Sequence, residues 1–160
     1  MSKTLDTSAV ALAQACANAM WATDDASREL GMELLDVGPG FARLAMTLTK
    51  AMANGHGSAH GGYIFTLADS AFAFACNTYN ERAVAAQCSI TYLRPGEIGL
   101  RLIAVAREVA RAGRSGIYDV TISDGEDRAI AEFRGHSRLI GGTLLNEASG
   151  AINISAGEDR

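Results

Sequence analysis

Asp69 is the only charged residue in the segment from His60 to Tyr79, which is otherwise mostly apolar and of helical length. An ionised carboxylate is costly to remove from water, so this group must be hydrogen-bonded, protonated or placed in a wet cleft. An isolated aspartate would more often bond nearby hydroxyls or simply face solvent. The neighbours of Asp69 instead favour a cleft in which chemistry takes place.

On a helix, small and polar residues at three- and four-residue spacing share one narrow stripe with this carboxylate. The other faces carry large apolar side chains, so we expect the helix to be buried at the centre of its domain. A second copy of the helix, a neighbouring strand or a ligand could contact the polar stripe. The stripe consists of Gly62, Thr66, Asp69, Ser70, Ala73 and Asn77.

Directly before this helix, residues 54–62 (NGHGSAHGG) supply flexible backbone. The first amides of a helix have no acceptor within the helix and attract oxyanions, as an oxyanion site requires. Gly61 and Gly62 would let a substrate carbonyl approach these amides closely. The alternative is that the two glycines only form the turn.

Gly61 and Asp69 are eight residues apart, a rise of roughly 12 Å along a helix. One chain therefore cannot bring both groups to the same carbonyl. If they act on the same bond, a second subunit must supply one of them from a helix that runs alongside in the opposite direction. The spacing thus predicts an active site shared across a dimer.

Composition limits the possible classes of protein. The chain has 160 residues, 48% hydrophobic and 20% charged, which indicates one globular domain with an apolar bias that suits an oligomer. A net charge of -4 with few aromatic residues argues against a nucleic-acid partner. The segment 60–79 is too polar for a membrane span, and the N-terminus is a weak match to a signal peptide, so we infer a cytoplasmic protein without membrane binding.

The cysteines and histidines do not indicate a metal site or a disulfide. Cys16, Cys76 and Cys88 lack paired spacing and are interpreted as small hydrophobic residues. His56 and His60 have the spacing of a helical metal pair but no glutamate between them. His60 could instead orient the glycine turn, contact the leaving group, or simply bond to loop backbone.

The remaining sequence predicts an α+β fold. An alanine-rich first helix extends to Trp21, residues 31–49 form a hairpin, and four consecutive antiparallel strands follow the central helix at 84–94, 100–111, 115–123 and 128–140. We expect a single domain over residues 1–140 in which the sheet wraps around the long helix. The tail, residues 141–160, has no strong pattern and is a candidate for disorder.

This order of elements resembles the hotdog fold, and residues 54–77 resemble PaaI-type thioesterases of phenylacetic acid degradation. The similarity extends through ITYLRPG, GIYDV and FRGHSRLIGG, between the first helix and the tail. The resemblance implies hydrolysis of acyl-CoA thioesters, typically with aryl-acetyl groups such as phenylacetyl or hydroxyphenylacetyl. It also implies a homotetramer built as a dimer of dimers, no metal, and no cofactor besides the coenzyme A of the substrate.

The resemblance assigns roles to four residues. Asp69 matches the catalytic carboxylate, as nucleophile or as base toward water, and the Gly61 amide of the other subunit polarises the thioester carbonyl. Asn54 would position water or the thioester, and His60 would interact with the departing sulfur. Some relatives place a serine or threonine near the position where this chain has Ala85, which leaves that role unassigned.

Several further residues are candidates for substrate binding. Arginines beside turns could contact the phosphates of coenzyme A, unless they are merely solvated. Apolar and small residues of the central helix could contact the acyl group, unless they belong to the core. These candidates are Gly62, Ser70, Tyr63, Phe65, Phe72, Arg94, Arg111 and Arg114.

Two alternative functions remain open at this point. A hotdog enoyl-CoA hydratase or dehydratase would pair a histidine with an acid, whereas His56 and His60 lie in the glycine loop before the acid-bearing helix. A non-catalytic acyl-CoA sensor would gain little from the costly carboxylate of Asp69. The sequence therefore favours a thioesterase, but it does not identify the acyl group.

Overall fold

The computed structural model describes residues 6–145. This part of the chain forms three α-helices, one 3₁₀ turn and six strands. Their bounds are α1 Thr7–Trp21, α2 Asp25–Glu29, β1 Glu33–Gly38, β2 Phe41–Thr47, the 3₁₀ turn Lys50–Met52, α3 Gly61–Cys76, β3 Ala83–Tyr92, β4 Arg101–Ala112, β5 Ser115–Ser123 and β6 Ala129–Leu139.

The six strands form one antiparallel sheet in the order β1-β2-β4-β5-β6-β3. Helix α3 packs across one face of this sheet and contacts strands along its whole width. The predicted α+β hotdog fold, with an antiparallel sheet around a long central helix, is confirmed.

One detail of the predicted topology is wrong, because β3 does not pair with β4 in a four-strand meander. It pairs with β6 at the edge of the sheet, and β4 pairs with β2. Burial explains the difference. Leu102, Ala104 and Ala106 of β4 are fully buried, whereas most residues of β3 are exposed. A strand with this exposure suits the edge of a sheet, and β4 suits its centre.

Helix α3 begins where His60 caps it. The His60 Nδ1 atom accepts a hydrogen bond from the Gly62 amide at 3.0 Å, which satisfies one of the amides left without a partner at a helix start. Half of the helix is buried, and its buried residues line the core. The continuous apolar character of this segment therefore predicted its central position correctly.

Phe72 of α3 lies in the middle of the core and is only 1% exposed. Its ring centroid is 5.6 Å from that of Tyr118 and 5.9 Å from that of Phe133. The ring also lies against the backbone of Gly135 in β6, where a Cβ atom would come within 2.7 Å of it. Of the two interpretations of Phe72 from the sequence, its position matches the core residue.

We expect Gly135→Ala to lower the free energy of unfolding by about 1–3 kcal/mol, because the added methyl group overpacks a filled core. Urea denaturation followed by circular dichroism measures the change. Gly125→Ala is the matched control, since a Cβ atom at this turn residue meets nothing within 4 Å. Equal denaturation midpoints for the two variants would contradict the packing described for Phe72.

Residues 1–5 and 146–160 lie outside the described residues, so most of the predicted tail, residues 141–160, is not covered. Within its described part, the amides of Leu144 and Leu145 donate to Asn80 Oδ1 at 3.0 and 2.9 Å. The single domain over 1–140 stays a prediction.

No helix within residues 6–145 has the length and apolar character needed to cross a membrane.

Candidate active site

Asp69 lies in the middle of α3 with its carboxylate half-buried and facing β3. The Cys88 thiol of β3 donates a hydrogen bond to Asp69 Oδ1 at 3.7 Å. Burial raises the pKa of Asp69, and the hydrogen bond from Cys88 partly opposes this effect. The carboxylate is thus a stronger base than a solvated aspartate once it is ionised.

The polar stripe predicted on α3 does not form one continuous surface. Ser70 turns toward α2, where its Oγ atom lies 3.0 Å from Ser27 Oγ, and Thr66 donates back to the Gly62 carbonyl at 2.8 Å. Asp69 contacts β3 through the hydrogen bond from Cys88, and Asn77 contacts the start of the same strand through two hydrogen bonds of 3.0 Å. A direct contact of Ser70 with substrate stays a prediction, and in this chain its hydroxyl has a protein partner.

The peptide group between Gly61 and Gly62 is held at both ends. The Tyr92 hydroxyl donates to the Gly61 carbonyl at 2.8 Å, and the Gly62 amide donates to His60 Nδ1 at 3.0 Å. The amide of Gly61 itself has no hydrogen-bond acceptor among residues 6–145. Gly61, and not Gly62, therefore offers a free amide at the start of α3 to a carbonyl oxygen.

Asn54 organises the loop that leads into α3. Its Oδ1 atom accepts a hydrogen bond from the His56 amide at 2.8 Å. Its Nδ2 atom donates to Ser58 Oγ at 3.2 Å and to the Ala59 carbonyl at 3.4 Å. The asparagine side chain thus replaces backbone partners within a tight loop, so it holds the glycine segment in place before Gly61.

Cavities lie on both sides of the start of α3. The larger one has a volume of about 490 Å³ and the smaller one about 310 Å³; the larger is of the size typical of ligand pockets. The larger cavity is lined by Ala59, Gly61, Ile64, Tyr92, Leu93, Arg94, Pro95 and Gly96. The smaller cavity is lined by Leu30, His60, Gly62, Tyr63 and Thr66.

The three arginines predicted to bind coenzyme A lie at different places. Arg94 lines the larger cavity next to Gly61. Arg111 pairs with Glu81 at 2.6 Å, and Arg114 donates to the Leu139 carbonyl at 2.7 Å. Glu81 follows the end of α3, a helix of 16 residues and thus roughly 24 Å long. Within one chain, only Arg94 is therefore close to the free amide.

Tyr63 and Phe65 also have defined surroundings. Tyr63 is half-buried and lines the smaller cavity with His60. The Phe65 ring packs edge-on against Phe133, with centroids 5.4 Å apart. The Tyr63 side chain is thus accessible to a ligand in the cavity beside the glycine loop, whereas Phe65 packs against the core.

Two residues of β3 were not recognised as part of the site from the sequence. Cys88, interpreted as a small hydrophobic residue, contacts Asp69, and Tyr92, left unassigned, contacts Gly61. They are four residues apart, so both point to the same face of the strand. The alternation of faces along a strand could have predicted that these two side chains lie together. Ser89, between them, points to the other face and lines a polar pocket with Asp119 of β5.

No metal site is evident in this part of the chain. Within residues 6–145, no three His, Cys, Asp or Glu side chains are grouped as they would need to be to hold a metal ion. His60, the histidine nearest the free amide, uses Nδ1 to cap α3.

The antiparallel sheet surrounds a central helix that carries a half-buried carboxylate and has a free amide at its start. Together these features define an enzyme of the hotdog fold. The model of the thioesterase superfamily matches residues 56–131, a segment that includes both Gly61 and Asp69. The chain belongs to this superfamily, and it is a thioester hydrolase.

Individual relatives narrow this similarity to the PaaI type. The chain is 44% identical over 132 residues to the acyl-coenzyme A thioesterase PaaI of Escherichia coli, covering 82% of this chain and 94% of the relative. The solved structure of E. coli PaaI matches with a TM-score of 0.82, 42% identity and coverage of 84% and 97%. A protein of Streptococcus mutans, solved with acetyl CoA bound, matches with a TM-score of 0.68, 27% identity and coverage of 70% and 90%.

Proposed function

We propose that the protein hydrolyses aryl-acetyl-CoA thioesters, of the phenylacetyl or hydroxyphenylacetyl type, to the free acid and coenzyme A. Asp69 of one subunit and the Gly61 amide of the other act together on the thioester. The observation that carries this proposal is the pairing, on one helix, of a half-buried carboxylate with a first amide that has no acceptor among the described residues.

The chemistry begins with the substrate carbonyl oxygen at the Gly61 amide. This amide and the positive end of the α3 dipole stabilise the negative charge that develops on the oxygen. Asp69 then either attacks the carbonyl carbon or removes a proton from a water molecule that attacks it. In the first route the C–S bond breaks as an anhydride forms, and water then cleaves the anhydride. In both routes coenzyme A leaves as the thiol.

His60 is suited to help the sulfur leave. Its Nδ1 atom accepts the hydrogen bond from the Gly62 amide, so the neutral ring carries its proton on Nε2. That proton is available to the departing thiolate. Asn54, which holds the loop before Gly61, would position the attacking water or the thioester. Neither step requires a metal or a cofactor other than the coenzyme A of the substrate.

A second subunit completes the site, and β3 is the surface through which we propose it to bind. This strand of 10 residues pairs only with β6 among the described strands. Charged residues and prolines usually protect an edge strand from pairing, and β3 has neither. Val84 is 45% exposed and Tyr92 is 47% exposed. Pairing of β3 with its copy would extend the sheet and place the two α3 helices side by side.

In a symmetric pair whose twofold axis is perpendicular to α3, the two helices run in opposite directions, because the rotation of 180° reverses the helix direction. The start of one helix then lies near the middle of the other, which brings Gly61 of one subunit toward Asp69 of its partner. This arrangement removes the separation of roughly 12 Å that eight residues of helix impose within one chain. We propose that two such dimers assemble into the homotetramer.

Support for the substrate comes from the cavity and from relatives. The cavity of about 490 Å³ beside Gly61 combines an apolar lining with Arg94, which suits an acyl group followed by a phosphate-bearing carrier. The S. mutans relative was solved with acetyl CoA, and the E. coli relative comes from the phenylacetic acid degradation operon.

Thiol release from a panel of acyl-CoA esters, followed with a chromogenic reagent, tests this function. We expect kcat/KM for phenylacetyl-CoA and hydroxyphenylacetyl-CoA to exceed that for straight-chain aliphatic esters by about tenfold or more, because an aromatic ring fills the pocket better. A preference for aliphatic esters would overturn the aryl-acetyl assignment alone. Hydration of an unsaturated ester without thiol release would favour the hydratase, and tight binding without turnover would favour the sensor.

A further inference from the structure

The contact between Cys88 and Asp69 joins a strand to the central helix at the proposed catalytic carboxylate. Cys88 Sγ lies 3.7 Å from Asp69 Oδ1, and both side chains are half-buried. Within residues 6–145 this is the only hydrogen bond that the Asp69 side chain receives. The thiol therefore occupies one carboxylate oxygen and leaves the other without a protein partner in this part of the chain.

The thiol has the protonation state that a donor needs. Burial, together with the nearby charge of Asp69, raises the pKa of Cys88 to about 11. Cys88 thus keeps its proton at neutral pH and donates it to the carboxylate. A hydrogen bond to the charged form favours ionisation and so opposes the effect of burial on the pKa of Asp69.

Other titratable groups around α3 do not contact this carboxylate. The buried thiol of Cys76 on α3 is neutral, because burial raises its pKa to about 12. On the α2 side, Asp24 is bonded to Ser27 at 2.7 Å. On the sheet side, the Tyr118 hydroxyl donates to Glu108 at 3.0 Å. Cys88 is consequently the group whose removal should change Asp69 directly.

We propose that Cys88 is a positioning residue for Asp69, holding Oδ1 so that Oδ2 is directed toward the substrate at the partner's free amide. This inference rests on the proposed role of Asp69 in hydrolysis. The hydroxyl of serine could replace the thiol as a donor, whereas alanine could not. Two substitutions of similar size therefore separate the hydrogen bond from the packing of the side chain.

Steady-state kinetics of Cys88→Ala and Cys88→Ser as a function of pH give the first test. We expect Cys88→Ala to lower kcat at neutral pH roughly two- to tenfold, the range that loss of one hydrogen bond produces, with little change in KM. The acid limb of its kcat profile should move to higher pH, since Asp69 must be ionised to act and now ionises less readily. Cys88→Ser should remain close to the parent in both respects.

Carbon NMR of the Asp69 carboxyl gives a second test that does not depend on turnover. The titration midpoint should rise in Cys88→Ala and stay near the parent value in Cys88→Ser, with Asp69→Asn used to assign the resonance. An unchanged midpoint and an unchanged kcat profile in Cys88→Ala would overturn the positioning role. If the midpoint rises as expected but Asp69→Asn still hydrolyses thioesters, the contact is supported and the proposed catalytic role of Asp69 fails instead.

Discussion

Replacement of Asp69 by asparagine is expected to lower kcat for thioester hydrolysis by about 10³-fold or more, within the range that a nucleophile or general base contributes. Asparagine has nearly the same shape but is neither a base nor a carboxylate nucleophile. The fold should tolerate the change, because burial already disfavours the ionised form of Asp69, as its raised pKa indicates. Thiol release measures turnover, and calorimetric titration with a slowly hydrolysed thioester measures binding.

Asp127→Asn is the matched control for this experiment. Asp127 lies exposed in the turn between β5 and β6, and its φ is 60°, a backbone conformation that asparagine adopts readily. This variant should keep the parent's rate. Retention of most activity in Asp69→Asn, with binding unchanged, would show that another group carries the chemistry and would remove the central element of the proposed mechanism.

Gly61→Ala has the second largest expected effect, a loss in kcat of about 10²-fold, comparable to removal of one donor from an oxyanion site. The amide is still present in the variant, but a Cβ atom at Gly61 would lie 2.9 Å from Tyr92 Cζ. Either the tyrosine ring or the start of α3 must move. Because the Tyr92 hydroxyl also holds the Gly61 carbonyl, the displacement changes the direction of the free amide.

Gly55→Ala serves as the control for Gly61→Ala. It lies in the same loop, and a Cβ atom there meets nothing within 4 Å, so this variant should hydrolyse thioesters at nearly the parent's rate. Equal rates for the two variants would contradict the role of the Gly61 amide. Circular dichroism of both proteins checks that helix α3 remains folded.

Gly61→Ala also tests whether the site is shared between subunits. Assemblies that contain one Asp69→Asn chain and one Gly61→Ala chain, isolated with two different affinity tags, have one intact site out of two per dimer. They should recover up to about half of the parent's rate although each variant alone is nearly inactive. No recovery in the mixed assemblies would indicate that both residues act within a single chain.

The sequence by itself determined the central helix and the two groups on it. A single charge within an apolar segment is so costly to bury that Asp69 had to be partnered or close to a cleft, and it is half-buried against β3. The glycine loop likewise indicated a helix start with free amides, and the amide of Gly61 is free among the described residues. These features are local, so short-range periodicity and burial cost were sufficient to predict them.

Only the tertiary structure decided which side chains meet across elements. The placement of β3 beside β6, and with it the contacts of Cys88 with Asp69 and of Tyr92 with Gly61, depends on strand order and register. The division of the polar stripe, with Ser70 turned toward α2, depends on how α2 packs. Strands compete for positions in a sheet through the total area that each order buries, and that sum over the whole domain cannot be obtained from any local pattern.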